Sequence, residues 1–247
     1  MRYLLHLFLR AICWLDLAAY TLALLLLALL PSGWLRICYP KLFRSWCRCF
    51  VRALGVRLHL HQHQTRPLPD HFILIANHPS ALELVGIPGL FNVVSLAKIE
   101  VRDWWFVGRI AAAAGTFFVE RESKGSRQNA LTSMRSAVSG GRNIAIYPEG
   151  GCKGRRVAER FHYGAFTLSL DTGVPIVPVF LHYEAQQAFA WEGQTLPQML
   201  RQIACAPNRQ AHYHVYDAFD PADFADRDAY VQHVHACYLT WQQRHLD

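Results

Sequence analysis

Charge is scarce in this chain: Asp, Glu, Lys and Arg make up 17% of its 247 residues, against 52% hydrophobic ones. That balance disfavours a freely soluble enzyme and points to contact with lipid. Acidic residues are the scarcer sign, 18 against 25 basic, which leaves a formal net charge of +7 and suits anionic partners. Nucleic acid is excluded among these, because the basic residues gather beside an apolar segment and no recognition module accompanies them. No Cys-x-x-Cys pair occurs. The seven cysteines, Cys13, Cys38, Cys47, Cys49, Cys152, Cys205 and Cys237, are odd in number and show no paired spacing, so neither a zinc site nor a disulfide framework is expected. Free thiols fit a reducing, cytoplasmic-side location. There is no G-x-S-x-G elbow, which argues against a serine hydrolase. Repeats, low-complexity tracts and an interdomain linker are also lacking, so one catalytic domain is expected.

What is present begins with an apolar run. Leu17 to Leu30 is interrupted only by Tyr20 and Thr21, and back to Ala11 it holds a single charge, Asp16. This is about a membrane-spanning length. A cleavable signal peptide is the rival reading, but Arg10 and Asp16 interrupt its expected layout. An anchor is therefore expected, either spanning or lying in one leaflet as a helical hairpin with Trp34 to Leu54. Arg36, Lys41, Arg44, Arg48, Arg52 and Arg57 follow, interleaved with Trp34, Tyr39, Phe43, Trp46 and Phe50, a pattern expected to lie on an anionic lipid surface. The positive-inside rule then puts the remainder in the cytoplasm. The expected division is residues 1–56 as anchor and interfacial segment and residues 57–247 as catalytic domain.

Phe72 to Ala76 is too short for a helix and has no polar face, so it suits a strand buried on both sides. It ends in Asn77-His78-Pro79-Ser80-Ala81-Leu82-Glu83. Ser80 is a candidate N-cap, His78 falls in the strand-to-helix loop, and Glu83 lies about one helical turn inside, from where its carboxylate can reach one imidazole nitrogen. A histidine with an unperturbed pKa of about 6.5, oriented by an acid, makes a general base near neutrality. The same residues also fit S-x-x-E, a capping box in which Glu83 only bonds the helix start.

Further strands are expected at Arg57 to His61, Val93 to Ala97, Thr116 to Val119, Ile144 to Tyr147, Val174 to Leu181 and Ala211 to Tyr216. Helices are expected at Trp104 to Ala114 behind an Asp103 cap, Ser126 to Ser139, Tyr163 to Leu170, Gln194 to Cys205 and Asp228 to Arg244. Pro175 and Pro178 suggest that the strand carrying them is an edge or pairs irregularly. The alternation indicates an α/β fold, a mixed and largely buried sheet flanked by helices, with polar strand ends converging on one edge. His59, His61 and His63 alternate along one strand and are expected to form a solvated face; no metal ligand set is assigned.

Read together, Asn77-His78-Pro79-Ser80-Ala81-Leu82-Glu83, Gly115 to Arg121, Tyr147-Pro148-Glu149-Gly150 and Val174 to Pro178 follow the order and rough spacing of four motif blocks. With Phe161-His162-Tyr163-Gly164-Ala165 between the last two, the chain resembles the 1-acylglycerol-3-phosphate acyltransferase family over roughly Asp70 to Leu181. That resemblance implies that His78 deprotonates the free hydroxyl of a lysophospholipid as it attacks an acyl thioester, with Arg121, Glu149 and Gly150 placing a phosphorylated acceptor. No metal, cofactor or covalent intermediate is implied; acyl-CoA or acyl-carrier protein enters as donor substrate. The implied setting is the cytoplasmic face of a bacterial inner membrane.

Two positions depart from the family pattern. Glu83 stands where aspartate is usual, and Gly151-Cys152-Lys153-Gly154-Arg155-Arg156 replaces the usual residues after E-G, leaving Lys153, Arg155 or Arg156 to pair with a phosphate. Lysophosphatidic acid is the default acceptor, and another lysolipid such as a lyso-ornithine lipid stays open. The competing functions are a lipid hydrolase or thioesterase using the same histidine on water, and a membrane lipid-binding protein that has lost catalysis. A nucleophilic Cys152 is disfavoured because the histidine lies in another loop.

Overall fold

The computed structural model describes residues 2–29 and 32–247. The expectations placed on Leu30 and on the side chains of Trp34 and Arg36 lie outside the described residues.

Two long helices open the chain, α1 (Arg2–Leu27) and α2 (Ser32–Ala53). They pair as a hairpin: the Tyr39 hydroxyl donates to the Leu24 carbonyl at 3.1 Å, the Tyr20 hydroxyl to Leu42 at 3.0 Å, and the Trp46 indole N–H to the Thr21 hydroxyl at 2.8 Å. Seven strands then form one sheet: β1 (Arg57–Gln62), β2 (Ile73–Ala76), β3 (Val94–Lys98), β4 (Phe117–Val119), β5 (Ile144–Ile146), β6 (Ile176–Tyr183) and β7 (Gln210–Val215). Their order is β1-β7-β6-β2-β5-β3-β4, parallel throughout except for the β6–β7 pair. Helices α3 (Glu83–Leu90), α4 (Trp105–Ala113), α5 (Lys124–Ser139), α6 (Gly164–Thr172), α7 (Gln186–Phe189), α8 (Leu196–Cys205) and α9 (Arg227–Leu246) flank it. The mixed α/β fold expected from the alternation is the one observed.

Local chemistry explains most boundaries. The Ser123 hydroxyl accepts from the Ser126 N–H to start α5, Thr195 and Gln198 form a capping box at α8, and the Asp226 carboxylate accepts from the Ala229 N–H at α9. Gly173, at φ +68°, closes α6 in the left-handed conformation that a β-carbon disfavours. Asp103 does not cap α4. It ends a short 3-10 turn, Ile99–Asp103, and α4 starts two residues later without a side-chain cap.

Three expectations need correcting. The aromatics of the basic segment do not all lie at its surface: Tyr39, Trp46 and Phe50 of α2 are buried in one core with Leu74, Ala76, Ile87 and Val177, while Lys41, Arg48 and Arg52 stay exposed. The Arg44 and Arg48 guanidiniums donate to the carbonyls of Leu90 and Gly89, both at 2.7 Å, and so fasten α2 to α3. Burying Phe50 alone contributes on the order of 2 kcal/mol, and the core that it joins holds residues from both sides of residue 56. Second, β6 is an interior strand despite its prolines. Pro175 precedes it and still accepts from the Ile73 N–H at 2.9 Å, while the donor that Pro178 lacks falls beside the end of β7, where Tyr216 N–H still donates to the Pro178 carbonyl at 3.3 Å. Third, α3 begins at Glu83, with Leu82 rather than Ser80 at its N-cap.

Among the described residues one helix is long and apolar enough to cross a membrane, over Phe8–Leu27. Phe8, Leu15, Leu22, Leu26 and Leu29 stand exposed along it, and Trp105 at the start of α4 is 85% exposed. Patches of this size on one face mark an interaction surface.

Candidate active site

Strands β2, β5 and β4 run parallel, so their carboxyl ends share one edge of the sheet. The loops leaving that edge carry His78 from β2, Glu149 from β5 and Arg121 from β4. In open α/β sheets this is the edge at which ligands bind.

His78 leaves the sheet because its neighbours take over the ladder. The Tyr238 hydroxyl, from α9, stands between β2 and β6, accepting from the Val179 N–H at 3.2 Å and donating to the Ile75 carbonyl at 2.9 Å. Two residues on, the Asn77 side chain replaces backbone pairing outright: its amide donates to the Leu181 carbonyl at 2.9 Å and its carbonyl accepts from the Leu181 N–H at 2.7 Å. The chain is thus fixed to β6 up to Asn77 and free to turn at His78.

The imidazole meets the carboxylate that the spacing suggested. His78 Nδ1 lies 2.7 Å from Glu83 Oε2, which also accepts from the Ser80 N–H at 3.0 Å. Glu83 Oε1 accepts from the Tyr183 hydroxyl of β6. Catalytic dyad and helix-start bond were rival readings of Glu83, and both contacts exist on one oxygen. The Glu83 side chain is fully buried and His78 is 6% exposed. On one face of the ring Tyr147 stacks at 4.3 Å between centroids, with its hydroxyl donating to the Glu83 carbonyl at 3.0 Å. Burial disfavours the imidazolium, but contact with Cys152 and the hydrogen bond and charge of Glu83 outweigh it, and the His78 pKa is raised to about 10. This ring holds its proton more tightly than the ordinary histidine assumed from sequence.

Glu149 does not face an open hollow. It is 3% exposed, and its two oxygens accept from the main-chain N–H groups of His78 at 2.7 Å and Ala158 at 2.9 Å. Burial raises its pKa against those two hydrogen bonds. Lys153 N–H donates back to the His78 carbonyl at 3.0 Å, so the third motif loop and the histidine loop are sewn together on both sides of residue 78. Gly150, at φ +70°, gives its carbonyl to the Arg121 guanidinium, and a β-carbon there would stand 2.7 Å from the His162 ring. A side chain at 150 would therefore be strained in backbone and crowded in space.

The cations sort unevenly. Burial lowers the pKa of His162, and the charges of Arg160, Arg121, Lys153 and Arg127 add to it; of these, Arg121 donates to the Gly150 carbonyl and Arg127 to the Arg121 carbonyl. Arg155 and Arg156, expected to share the task of Lys153, turn the other way: Arg155 reaches the Leu246 carbonyl at 3.4 Å and Arg156 pairs with Asp247 at 2.6 and 2.8 Å. The turn after Gly154, at φ +76°, swings them toward α9. Arg127, Arg160 and His162 went unassigned in the sequence, although the Phe161-His162-Tyr163-Gly164-Ala165 block was the available signal.

Residues 57–182 match the family described as Acyltransferase, half of the chain. The chain belongs to the acyltransferase family. It is 31% identical over 145 residues to the lyso-ornithine lipid O-acyltransferase of Pseudomonas aeruginosa, covering 58% of this chain and 54% of that protein. It is 26% identical over 121 residues to the 1-acyl-sn-glycerol-3-phosphate acyltransferase of Neisseria gonorrhoeae, covering 48% of each. The chain spans about half the length of these relatives. The crystal structure of the 1-acyl-sn-glycerophosphate (LPA) acyltransferase PlsC from Thermotoga maritima shares the fold, with a TM-score of 0.70 over 99% of this chain and 97% of that one at 18% identity.

Cys152 lies in another loop from the histidine, as the sequence implies, and its Sγ stands 3.6 Å from His78 Nε2 and 3.8 Å from Nδ1, with the adjoining Lys153 N–H bonded to the His78 carbonyl. Near-equal distances to both nitrogens place the sulfur beside the ring, whereas a thiol ready to give its proton to Nε2 would lie on that atom's lone-pair axis and much farther from Nδ1. Cys152→Ala is accordingly expected to keep acyl transfer within a few-fold and to trap no acyl-enzyme in intact-protein mass spectrometry. A loss as deep as that of a His78 variant, or an acyl adduct on the wild-type thiol, would make the sulfur the nucleophile.

Proposed function

We propose that the chain is a membrane-associated O-acyltransferase that moves a fatty acyl group from acyl-CoA or acyl-carrier protein to the free hydroxyl of 1-acylglycerol-3-phosphate, giving phosphatidic acid. The observation that carries this reading is the His78–Glu83 pair at a strand-end edge, with Arg121 held to the Gly150 carbonyl in the loop whose Lys153 N–H bonds the His78 carbonyl. His78 Nε2 takes the hydroxyl proton as the acceptor oxygen attacks the thioester carbonyl. The tetrahedral oxyanion collapses by breaking the carbon–sulfur bond, and the imidazolium returns its proton to the departing thiolate. Glu83 fixes the ring through Nδ1 and stabilises the imidazolium. Arg121 and Lys153 bind the acceptor phosphate, while Glu149 and Gly150 act by holding the two loops in register. A thioester has a good leaving group, so alignment and one base suffice and no metal or resident cofactor is assigned. The exposed apolar side chains of α1 and Trp105 seat the enzyme on the cytoplasmic face of the membrane, where the lysolipid acceptor meets a donor arriving from the aqueous side.

A lyso-ornithine lipid is the second acceptor, favoured by the loss of Arg155 from the site and by the relative from Pseudomonas aeruginosa. Purified protein given one acyl-CoA and an equimolar mixture of lysophosphatidic acid and lyso-ornithine lipid decides between them by product mass. Phosphatidic acid as main product upholds the first reading. Ornithine lipid replaces it with the second, and binding of lysolipid without product from any donor leaves a non-catalytic lipid-binding protein.

A further inference from the structure

The alternating histidines of β1 acquire partners that sequence spacing could not show. Parallel pairing sets His59 opposite His212 and His61 opposite His214, and antiparallel pairing sets His182 of β6 opposite His212. Because side chains alternate across a strand, these rings share one face of the sheet, while Tyr183, next to His182, faces the other way to bond Glu83. The histidine strip therefore lies on the far side of the sheet from the dyad.

Within the strip two sets of three ligands converge, each with its candidate ligand atoms within 4.8 Å of one another: His182, Glu184 and His212, and His63, His214 and His245. We propose that His182, Glu184 and His212 form a binding site for a divalent transition-metal ion of the zinc, cobalt or nickel kind. The chemistry of the donors supports it: two imidazoles and one carboxylate suit such ions, and the carboxylate supplies charge. His212 is already arranged as a ligand. Its Nδ1 bonds His61 Nε2 at 2.9 Å, which fixes the ring and leaves Nε2, 3.2 Å from Glu184 Oε1, to face the ion. The His182 ring lies parallel to that of His212 at 4.8 Å, and its buried Nδ1 has no hydrogen-bond partner. The other set is weaker. It has no carboxylate, His63 Nε2 is engaged with His214 Nδ1 at 2.9 Å, and His245 Nε2 is engaged with the Tyr216 hydroxyl at 2.7 Å. An ion at the first set ties β6 to β7 and acts as a structural clamp.

The test uses the full chain in detergent, with any affinity tag removed and metal stripped by chelator. Titration with Co2+ is followed by its visible ligand-field bands, and Zn2+ is measured by competition and by thermal melting. One ion per chain saturating at micromolar concentration, with a melting temperature that climbs with free metal, is expected. Glu184→Gln and His212→Asn should each weaken binding by at least about tenfold, and His245→Asn should leave it within about twofold. Glu184 is half exposed, so its variant decides the matter where the His212 variant fails to fold. Absence of saturable binding below millimolar metal, or affinity indifferent to Glu184→Gln, overturns the proposal. So does a tenfold loss confined to His245→Asn.

Discussion

His78→Ala is expected to lower acyl transfer by about 10²- to 10⁴-fold, the range that a positioned general base supplies. The variant should remain folded, and the reason lies in which atoms hold the loop. Asn77 is fastened to Leu181 through its own side chain, and Glu149 and Lys153 grip residue 78 through its main-chain N–H and carbonyl, all of which alanine retains. Glu83 loses one partner but keeps the Ser80 N–H and the Tyr183 hydroxyl. Circular dichroism and sedimentation with membranes should therefore match the wild type while product formation from acyl-CoA and lysolipid collapses. Transfer retained within tenfold would remove the base assignment. The same assay separates transfer from hydrolysis: thiol release by the wild type should require lysolipid, and release at the same rate without it would identify water as the acceptor.

The parts of this site that were legible in the sequence are those fixed by local spacing. A short apolar run followed by a polar turn gave the strand and its loop, and the placing of Glu83 five positions after His78 gave their meeting. What the sequence did not disclose was everything set by strand order. Nothing local says that the loop after β5 is bonded to the loop after β2, so neither the closeness of Cys152 to His78 nor the main-chain bonds of Glu149 could be read from the sequence. Two prolines suggested an edge for β6, yet a proline costs a sheet only the one bond its nitrogen would have made, and here that bond falls beside the end of β7. The basic and aromatic pattern of α2 suits a lipid surface equally well as a pair of helices that bury aromatics and bond carbonyls with arginine. Only the packing of α1 and α3 against it decides between them. The histidine strip is the extreme case, because strand members such as His61 and His212 are 151 residues apart and meet through strand register.

Glu83→Gln is the second large effect, and its direction follows from charge. The amide matches the carboxylate in length, so its oxygen can still accept from His78 Nδ1–H and Ser80 N–H while the NH2 group meets the Tyr183 hydroxyl, which can rotate to accept. Geometry is preserved and the negative charge is lost. The base acts only when neutral, so activity rises with pH as His78 gives up its proton. Because the pKa is raised, the wild-type acid limb should lie above the 6.5 of an unperturbed histidine. Removing the charge removes part of what holds that proton, so the acid limb of kcat/KM should move to lower pH in Glu83→Gln. The plateau should fall at the same time, by about 10²- to 10⁴-fold, because the imidazolium formed in the transition state has lost its counter-charge. Glu83→Asp separates the two contributions: it keeps the charge but is one methylene short, and cannot hold the imidazole, Ser80 and Tyr183 together. Its acid limb should stay nearer that of the wild type while its plateau drops. A pH profile that is unmoved in Glu83→Gln would show that Glu83 is a helix-start residue and nothing more, with the raised pKa of His78 owed to its other neighbours.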